Sequence, residues 1–339
     1  MIAAWVDPVG PSFPFQDEVR EGESGQGYAL RMAHGNGLAG LARVKQLLGK
    51  THSAVLDASD AVPLAKWFGG SVQLLDFSLE RLNLGRREAG SHYAGHPLGR
   101  SYFLTRSFPR VCPDCLRELG YCRTAWDLTL SVACVRHRRV LLDRCPSCLH
   151  TLSWNRPGLE VCSCGYSLSM GDAPEAATTD ELLVAHVVDQ RMGDYAAFGE
   201  GCRMAESEEE AVGMPTFDSL LRNLSLDGVM RIIYALSTAA MYDAEVKAEK
   251  RERGALMKAR QTIALAAAFG AKVARLEAPD LQTRRPSVLI DLLSDVASSS
   301  RATSSDASLA RSMLGWLLVN SPTSTLASRH VSLSQMELF

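Results

Sequence analysis

The residues best equipped for chemistry are the cysteines. The 339-residue sequence holds nine, and eight of them fall between Cys112 and Cys164. Seven of these, with one histidine, read Cys112-x2-Cys115-x18-Cys134-x2-His137 and then Cys145-x2-Cys148-x13-Cys162-x1-Cys164. Each run supplies four soft ligands, the complement of a closed tetrahedral site. A two-residue gap lets both side chains of a tight knuckle reach one ion at about 2.3 Å, and Pro113 and Pro146 sit inside the knuckles and restrain the turn. Thiolate and imidazole favour Zn2+ over Mg2+ or Ca2+, so two structural Zn2+ ions are the expected cofactors; the ligand types alone leave an iron–sulfur cluster open. Sequential sites are expected, while a cross-braced arrangement would use the same eight residues. The odd cysteine total and this spacing argue against a disulfide framework.

The same ligand count bears on catalysis. A catalytic zinc keeps one position open for water, whereas each set here already has four protein ligands. A loop-rich segment of about 55 residues buries too little apolar surface to fold unaided, so the metal is expected to supply folding energy. A nucleobase deaminase needs His-x-Glu ahead of its Pro-Cys-x-x-Cys, and none of the eight histidines is followed at that offset by Glu. There is no Gly-x4-Gly-Lys-Ser/Thr phosphate loop and no Ser-His-Asp arrangement, so no enzyme is expected. Cys122 and Cys202 are left over, and Cys122 reads as a buried thiol rather than a substitute ligand. His150 is a weak competitor for the second set, because Cys162-x-Cys164 followed by Gly165 already makes a tight knuckle.

Charge sets what surrounds these ligands. With 36 Lys and Arg against 38 Asp and Glu the net charge is -2, so any basic surface is local. One such region is Arg100 to Arg144, where nine Arg and no Lys face only Asp114, Glu118, Asp127 and Asp143. Arginine suits bidentate phosphate contact; equally, guanidinium groups offset the net negative charge of zinc–thiolate sites. Arg136, Arg138 and Arg139, which flank His137, are the candidate exposed contacts for nucleic acid or a partner. Trp126 reads as core beside the first ligand set.

The elements that must hold these residues are mainly α. Three parts are expected: residues 1–105, an amino-terminal arm and helix-turn-helix-like domain; 106–175, a loop-rich double zinc module with short strands; and 176–339, a helical domain with helix-turn-helix-like packing. Residues 1–20 carry Pro8, Pro11 and Pro14 with three aromatics, as in an extended arm that packs on something else. Helices are expected on both sides of His34-Gly35-Asn36-Gly37, over Val62–Phe68 and over Ser78–Leu84, with a short strand at Tyr102-Phe103-Leu104. Thr178-x-x-Glu181 is a capping box opening a helix. Four Glu within 206–210 mark a loop, and helices follow over 216–224, 226–241, 261–277, 287–297 and 306–319. The charged stretch 243–260 should face water, and the tail from Ser321 should be loosely held. No apolar run approaches the ~18 residues of a membrane span and the start lacks a secretory signal, so the expected location is the cytoplasm.

Two blocks resemble a known family. Arg110-Val111-Cys112-Pro113-Asp114-Cys115-Leu116, Trp126, Cys134-x2-His137, Leu141, Cys145-Pro146-x-Cys148, Leu152 and Cys162-x-Cys164-Gly165 are similar to the TniQ transposition target selectors. Glu21-Gly22-Glu23-Ser24, Tyr28, Arg31-Met32-Ala33 and Asn36-Gly37 resemble the amino-terminal signature of the same family. The resemblance covers roughly residues 8 to 170. It implies a non-enzymatic adaptor whose partners are an AAA+ ATPase transposition regulator and either a Cascade-type CRISPR ribonucleoprotein with its guide RNA or target DNA. It also implies a homodimer. The alternative is a stand-alone zinc-containing regulator that reads DNA sequence through a helix.

Overall fold

The structure, a computed structural model, describes residues 12–83, 90–171, 173–193, 216–241, 254–275, 277 and 287–320. Among them are eleven α-helices and five short strands, so the chain is mainly helical. It divides into two compact units, Met1–Glu209 with Arg253–Arg260, and Glu210–Glu252 with Gln261–Phe339. Cys202, Arg86-Arg87, the Glu206–Glu210 run, residues 1–11 of the arm and the tail from Ser321 lie outside the described residues.

The first unit opens with residues 12–20, which form no helix. Phe13 stacks on Phe68 with ring centroids 5.2 Å apart, and its backbone N–H donates to Trp67 O at 2.9 Å. Helix α1 (Gly25–Gly35) starts where Ser24 accepts from the Gly27 N–H, and α2 (Leu41–Leu47) follows the glycine turn. Helix α3 (Ala61–Phe68) ends at Gly69, whose left-handed φ of 86° terminates it. Helix α4 (Val72–Ser78) is capped by Ser71. An antiparallel three-stranded sheet follows in the order β1 (Arg81–Asn83), β2 (Gly90–Tyr93), β3 (His96–Leu98). Then come α5 (Pro113–Leu119), the hairpin β4 (Ala133–Cys134) and β5 (Arg139–Val140), and α6 (Thr179–Met192), which opens with the expected Thr178–Glu181 capping box.

One apolar cluster joins the early helices to the cysteine-rich segment. Tyr28, Leu30, Met32, Leu64 and Phe68 belong to the same core as Val111, Leu116, Trp126, Leu141, Leu152 and Trp154. Residues on both sides of position 105 therefore share a single interior. Trp126 is 1% exposed and lies in that core.

In the second unit, α7 (Phe217–Leu221) and α8 (Leu226–Ala240) precede the later part of α9 (Ala255–Ala274), then α10 (Ser287–Ser298) and α11 (Ser304–Asn320). Helix α10 packs on both α8 and α11. The buried Asp306 carboxylate accepts from Ser225 N at 2.9 Å, Ser225 Oγ at 2.6 Å and Thr303 N at 2.8 Å, so one side chain serves the N-termini of α8 and α11.

Three expected elements differ. The helix expected over 78–84 starts instead near Ser71 and ends at Ser78. Leu79 is extended (ψ 149°), Glu80 O accepts from Ala58 N at 2.9 Å, and the chain runs on as β1. Tyr102-Phe103-Leu104 is a 3-10 turn (Ser101–Phe103), with Leu104 making only an isolated bridge to Leu128. Helix α9 begins inside the charged stretch, where Arg260 reaches Glu181 at 2.5 Å rather than only water.

Candidate metal centre

Local backbone bonds shape each ligand pair. Cys112 precedes α5 with Pro113 in its first turn, which puts Cys115 one turn away on the same side. Cys134 ends β4, the chain turns, and Arg138 N–H donates back to Cys134 O at 2.8 Å before β5 begins. In the second set, Cys145 N–H donates to His150 O at 3.0 Å and Leu149 N–H to Cys145 O at 2.9 Å. Cys162 N–H donates to Tyr166 O and Gly165 N–H to Cys162 O, both at 2.9 Å.

Three of these turns share a backbone device. The residue directly after the second ligand has positive φ: Arg138 at 53°, Leu149 at 62° and Gly165 at 87°. For Arg138 and Leu149 that conformation costs about 1–2 kcal/mol, which the surrounding turn must offset. Gly165 meets the same demand without strain.

The structure brings Cys112, Cys115, Cys134 and His137 together, and separately Cys145, Cys148, Cys162 and Cys164; within each group the ligand atoms lie within 4.8 Å of one another. The grouping is sequential, not cross-braced. In the first, His137 Nδ1 lies 3.4, 3.3 and 3.5 Å from the sulfurs of Cys112, Cys115 and Cys134, and Cys115 and Cys134 are 3.5 Å apart. In the second, the Cys145–Cys164 and Cys148–Cys162 sulfurs are 3.7 and 3.8 Å apart. Four sulfurs each about 2.3 Å from one Zn2+ stand about 3.8 Å apart along the edges of the tetrahedron, and a sulfur–nitrogen edge is about 3.6 Å. The donor sets therefore fit a dication in both places.

Electrostatics point the same way. Hydrogen bonds from Cys115 and Cys134 hold the Cys112 thiol far below its usual value, down to about 2, and the same contacts push Cys115 strongly up and Cys134 up to about 12. In the second group burial works against ionisation of Cys145, but the backbone N–H groups of Cys148 and Ser147 bring it to about 7, while burial first of all pushes Cys162 up to about 12. Adjacent thiolates become compatible once a cation sits between them.

The two groups differ in exposure. Cys112, Cys115 and Cys134 are at most 1% exposed, while Cys164 is exposed and Cys148 half-buried. The second group borders a cavity of about 260 Å3 with His150, Thr151 and Ser153 on its wall. His150 is in neither ligand group.

Residues that spacing did not single out complete the first group. His137 Nε2 donates to Glu118 Oε1 at 3.1 Å, and Arg136 Nη2 donates to Glu118 Oε2 at 2.8 Å. The carboxylate fixes the tautomer that leaves the Nδ1 lone pair facing the sulfurs. Glu118 falls one turn after Cys115 on α5, and that i+3 offset was the available signal. Cys122 is fully buried outside both groups, and burial pushes its thiol up to about 12.

Most of these arginines are paired within the protein, and two of them are buried. Arg110 is 1% exposed and donates to Thr129 O at 2.7 Å and Ser131 O at 2.9 Å. Arg123, equally buried, pairs with Asp189 on α6 at 2.7 Å. Arg106 grips Glu80, Arg117 pairs with Asp114, and Arg139 donates to Pro174 O at 2.7 Å. Arg117, Arg136, Arg138 and Arg144 are exposed.

The family model for TniQ matches residues 14–141. This segment is similar to the TniQ domain. A search of characterised proteins gives no significant match to the chain. The similarity points to a transposition-related function, and the matched segment contains the whole first ligand group, with the second group following just after its end. Its signature residues are structural in this fold. The Glu23 carboxylate accepts from Arg31 Nε at 2.7 Å and Nη2 at 2.8 Å, and Ser24 Oγ donates to Asp127 at 2.6 Å. No helix among the described residues is long and apolar enough to cross a membrane.

Proposed function

We propose that this protein is a non-enzymatic TniQ-type adaptor that directs transposon insertion by joining a target-recognition complex to an AAA+ transposition regulator. The reading rests on one observation above others: two complete four-donor groups sit in or beside the core of the TniQ domain, leaving no ligand position to chemistry. The eight residues of those groups would hold two Zn2+ ions. The ions would supply folding energy and cross-link the loops, and the helices would present the contact surfaces.

The target-recognition partner is either a Cascade-type ribonucleoprotein with guide RNA or target DNA, the adaptor acts as a homodimer, and its place of action is the cytoplasm. Residues 106–175 act as a rigid double-zinc platform, and the helical parts 1–105 and 176–339 supply contact surfaces. Arg136, Arg138 and Arg139 are its proposed contacts with nucleic acid or partner. Arg136 also holds Glu118 and Arg139 also donates to Pro174 O, so a substitution at either is read for folding as well as for binding.

Co-purification of the full chain with a guide-RNA complex and with the ATPase tests this directly. Salt-sensitive, sequence-blind and weak binding to DNA, together with stable capture by the ATPase, is the expected result. Tight binding to one duplex with a steep salt slope and no ATPase capture would instead establish the stand-alone DNA-binding regulator.

A further inference from the structure

The loop at 153–160, which leads into Cys162, closes around a single side chain. Arg156 is 2% exposed. Its guanidinium donates to three carbonyls of that loop, Ser153 O at 2.9 Å, Gly158 O at 3.0 Å and Leu159 O at 3.2 Å, and lies 5.5 Å over the Trp154 ring. Among the described residues no carboxylate pairs with it. Its acidic neighbours are the sulfurs of Cys122 and Cys162, and it shares a cavity wall with Cys148, Cys162 and Cys164. Burial pushes the Cys122 thiol up to about 12, with the Arg156 charge beside it pulling the other way.

A buried guanidinium with no anion facing it is strongly unfavourable. Four thiolates around a dication carry about -2, and three thiolates with an imidazole about -1, so the second group is the one in greater need of a positive neighbour. The two groups are furnished accordingly. The first has the carboxylate of Glu118 behind its imidazole, and the second has Arg156.

We propose that Arg156 is the fixed counter-charge of the second metal group: a positioning residue whose guanidinium, held by the 153–160 loop on the wall it shares with the ligands, offsets the charge of the loaded site and makes the order of that loop depend on metal loading. The proposal rests on the reading that the second group takes a metal ion.

The consequence reaches the TniQ helices, because the same loop seats on the α1–α2 turn. His34 Nδ1 lies 3.2 Å from Pro157 O, and Lys45 Nζ donates to Asn155 Oδ1 at 3.1 Å. Gly40 has φ 70°, and a Cβ there would stand 2.3 Å from Arg156 O, so only glycine permits the approach. Loading of the second group is thereby coupled to the seat of α1 and α2.

The test is metal affinity at each group in the full chain, measured by chelator competition, with Co2+ substitution to report the sulfur-to-cobalt absorption of each set. In Arg156→Met the second ion should bind about 10–100-fold more weakly while the first is unchanged. Arg156→Lys, which keeps the charge and loses the fork, should lie between Met and wild type. Cys122→Ala should bind both ions as wild type does. Met binding two ions at wild-type affinity, Lys no better than Met, or both ions weakening equally would each overturn the proposal. Wild-type protein that takes up a single ion would instead sink the two-ion reading beneath it.

Discussion

Ser24 Oγ donates a 2.6 Å hydrogen bond to the buried Asp127 carboxylate, 103 positions along the chain. The same oxygen caps α1 by accepting from Gly27 N–H at 3.4 Å. Tyr93 OH reaches the same Asp127 oxygen at 2.5 Å. One hydroxyl thus joins the first TniQ helix to the loop that connects the two halves of the first ligand group. Ser24→Ala removes a cap and a bond to a buried carboxylate. The cost should be about 2–4 kcal/mol, read from urea unfolding, and a change within 0.5 kcal/mol, roughly the scatter of neutral surface changes, would deny this link its role.

Asp127 also gives a pH signature. Burial, opposed by the Ser24 and Tyr93 bonds, raises its carboxyl from 3.8 to about 6. The folded state therefore binds this proton more tightly than the unfolded chain, and the contribution to stability falls as pH rises from about 4 through 6. Relative to Asp127→Asn, which can still accept both hydroxyls, wild type should lose roughly 3 kcal/mol across that window. Parallel stability profiles for the two proteins would show that the carboxyl is not perturbed.

Glu118 supports His137 from an exposed position, so its influence is screened. Glu118→Ala should weaken the first ion about tenfold and leave the second untouched, as read by competition with a chelator. Equal weakening of both would point to general unfolding of the platform instead.

The Arg123–Asp189 pair fastens α6 to the first ligand loop with both side chains buried. Removing one partner strands a charge, so Arg123→Met should cost about 3–5 kcal/mol, whereas Arg123→Met with Asp189→Leu should recover much of it. A double variant as unstable as the single one would mean that the loss is one of packing.

Much of this could be read in advance because ligand spacing is a local property. Cys112 to His137 and Cys145 to Cys164 appear in the sequence in the order in which they group in space, and Thr178 announces its helix through the Glu181 side chain one turn away. What could not be read depends on distant partners. Glu80 ends the run after α4 because Ala58 N–H donates to its carbonyl and Arg106 grips its carboxylate. Arg110 and Arg123 look like surface charge in a one-dimensional count, yet both are buried against carbonyls and a carboxylate supplied from 19 to 66 residues away. Val72, Leu74 and Phe77 are exposed on α4, which removes the apolar periodicity that would have placed that helix.

The central claim is that two metal ions are part of the folded platform. Elemental measurement on protein purified without added metal, calibrated by amino-acid analysis, tests it most directly. The account predicts two Zn2+ per chain, with chelator removing first the ion of the partly exposed Cys145–Cys164 group and unfolding of the platform following loss of the second. A folded, monodisperse protein containing no bound transition metal would contradict it.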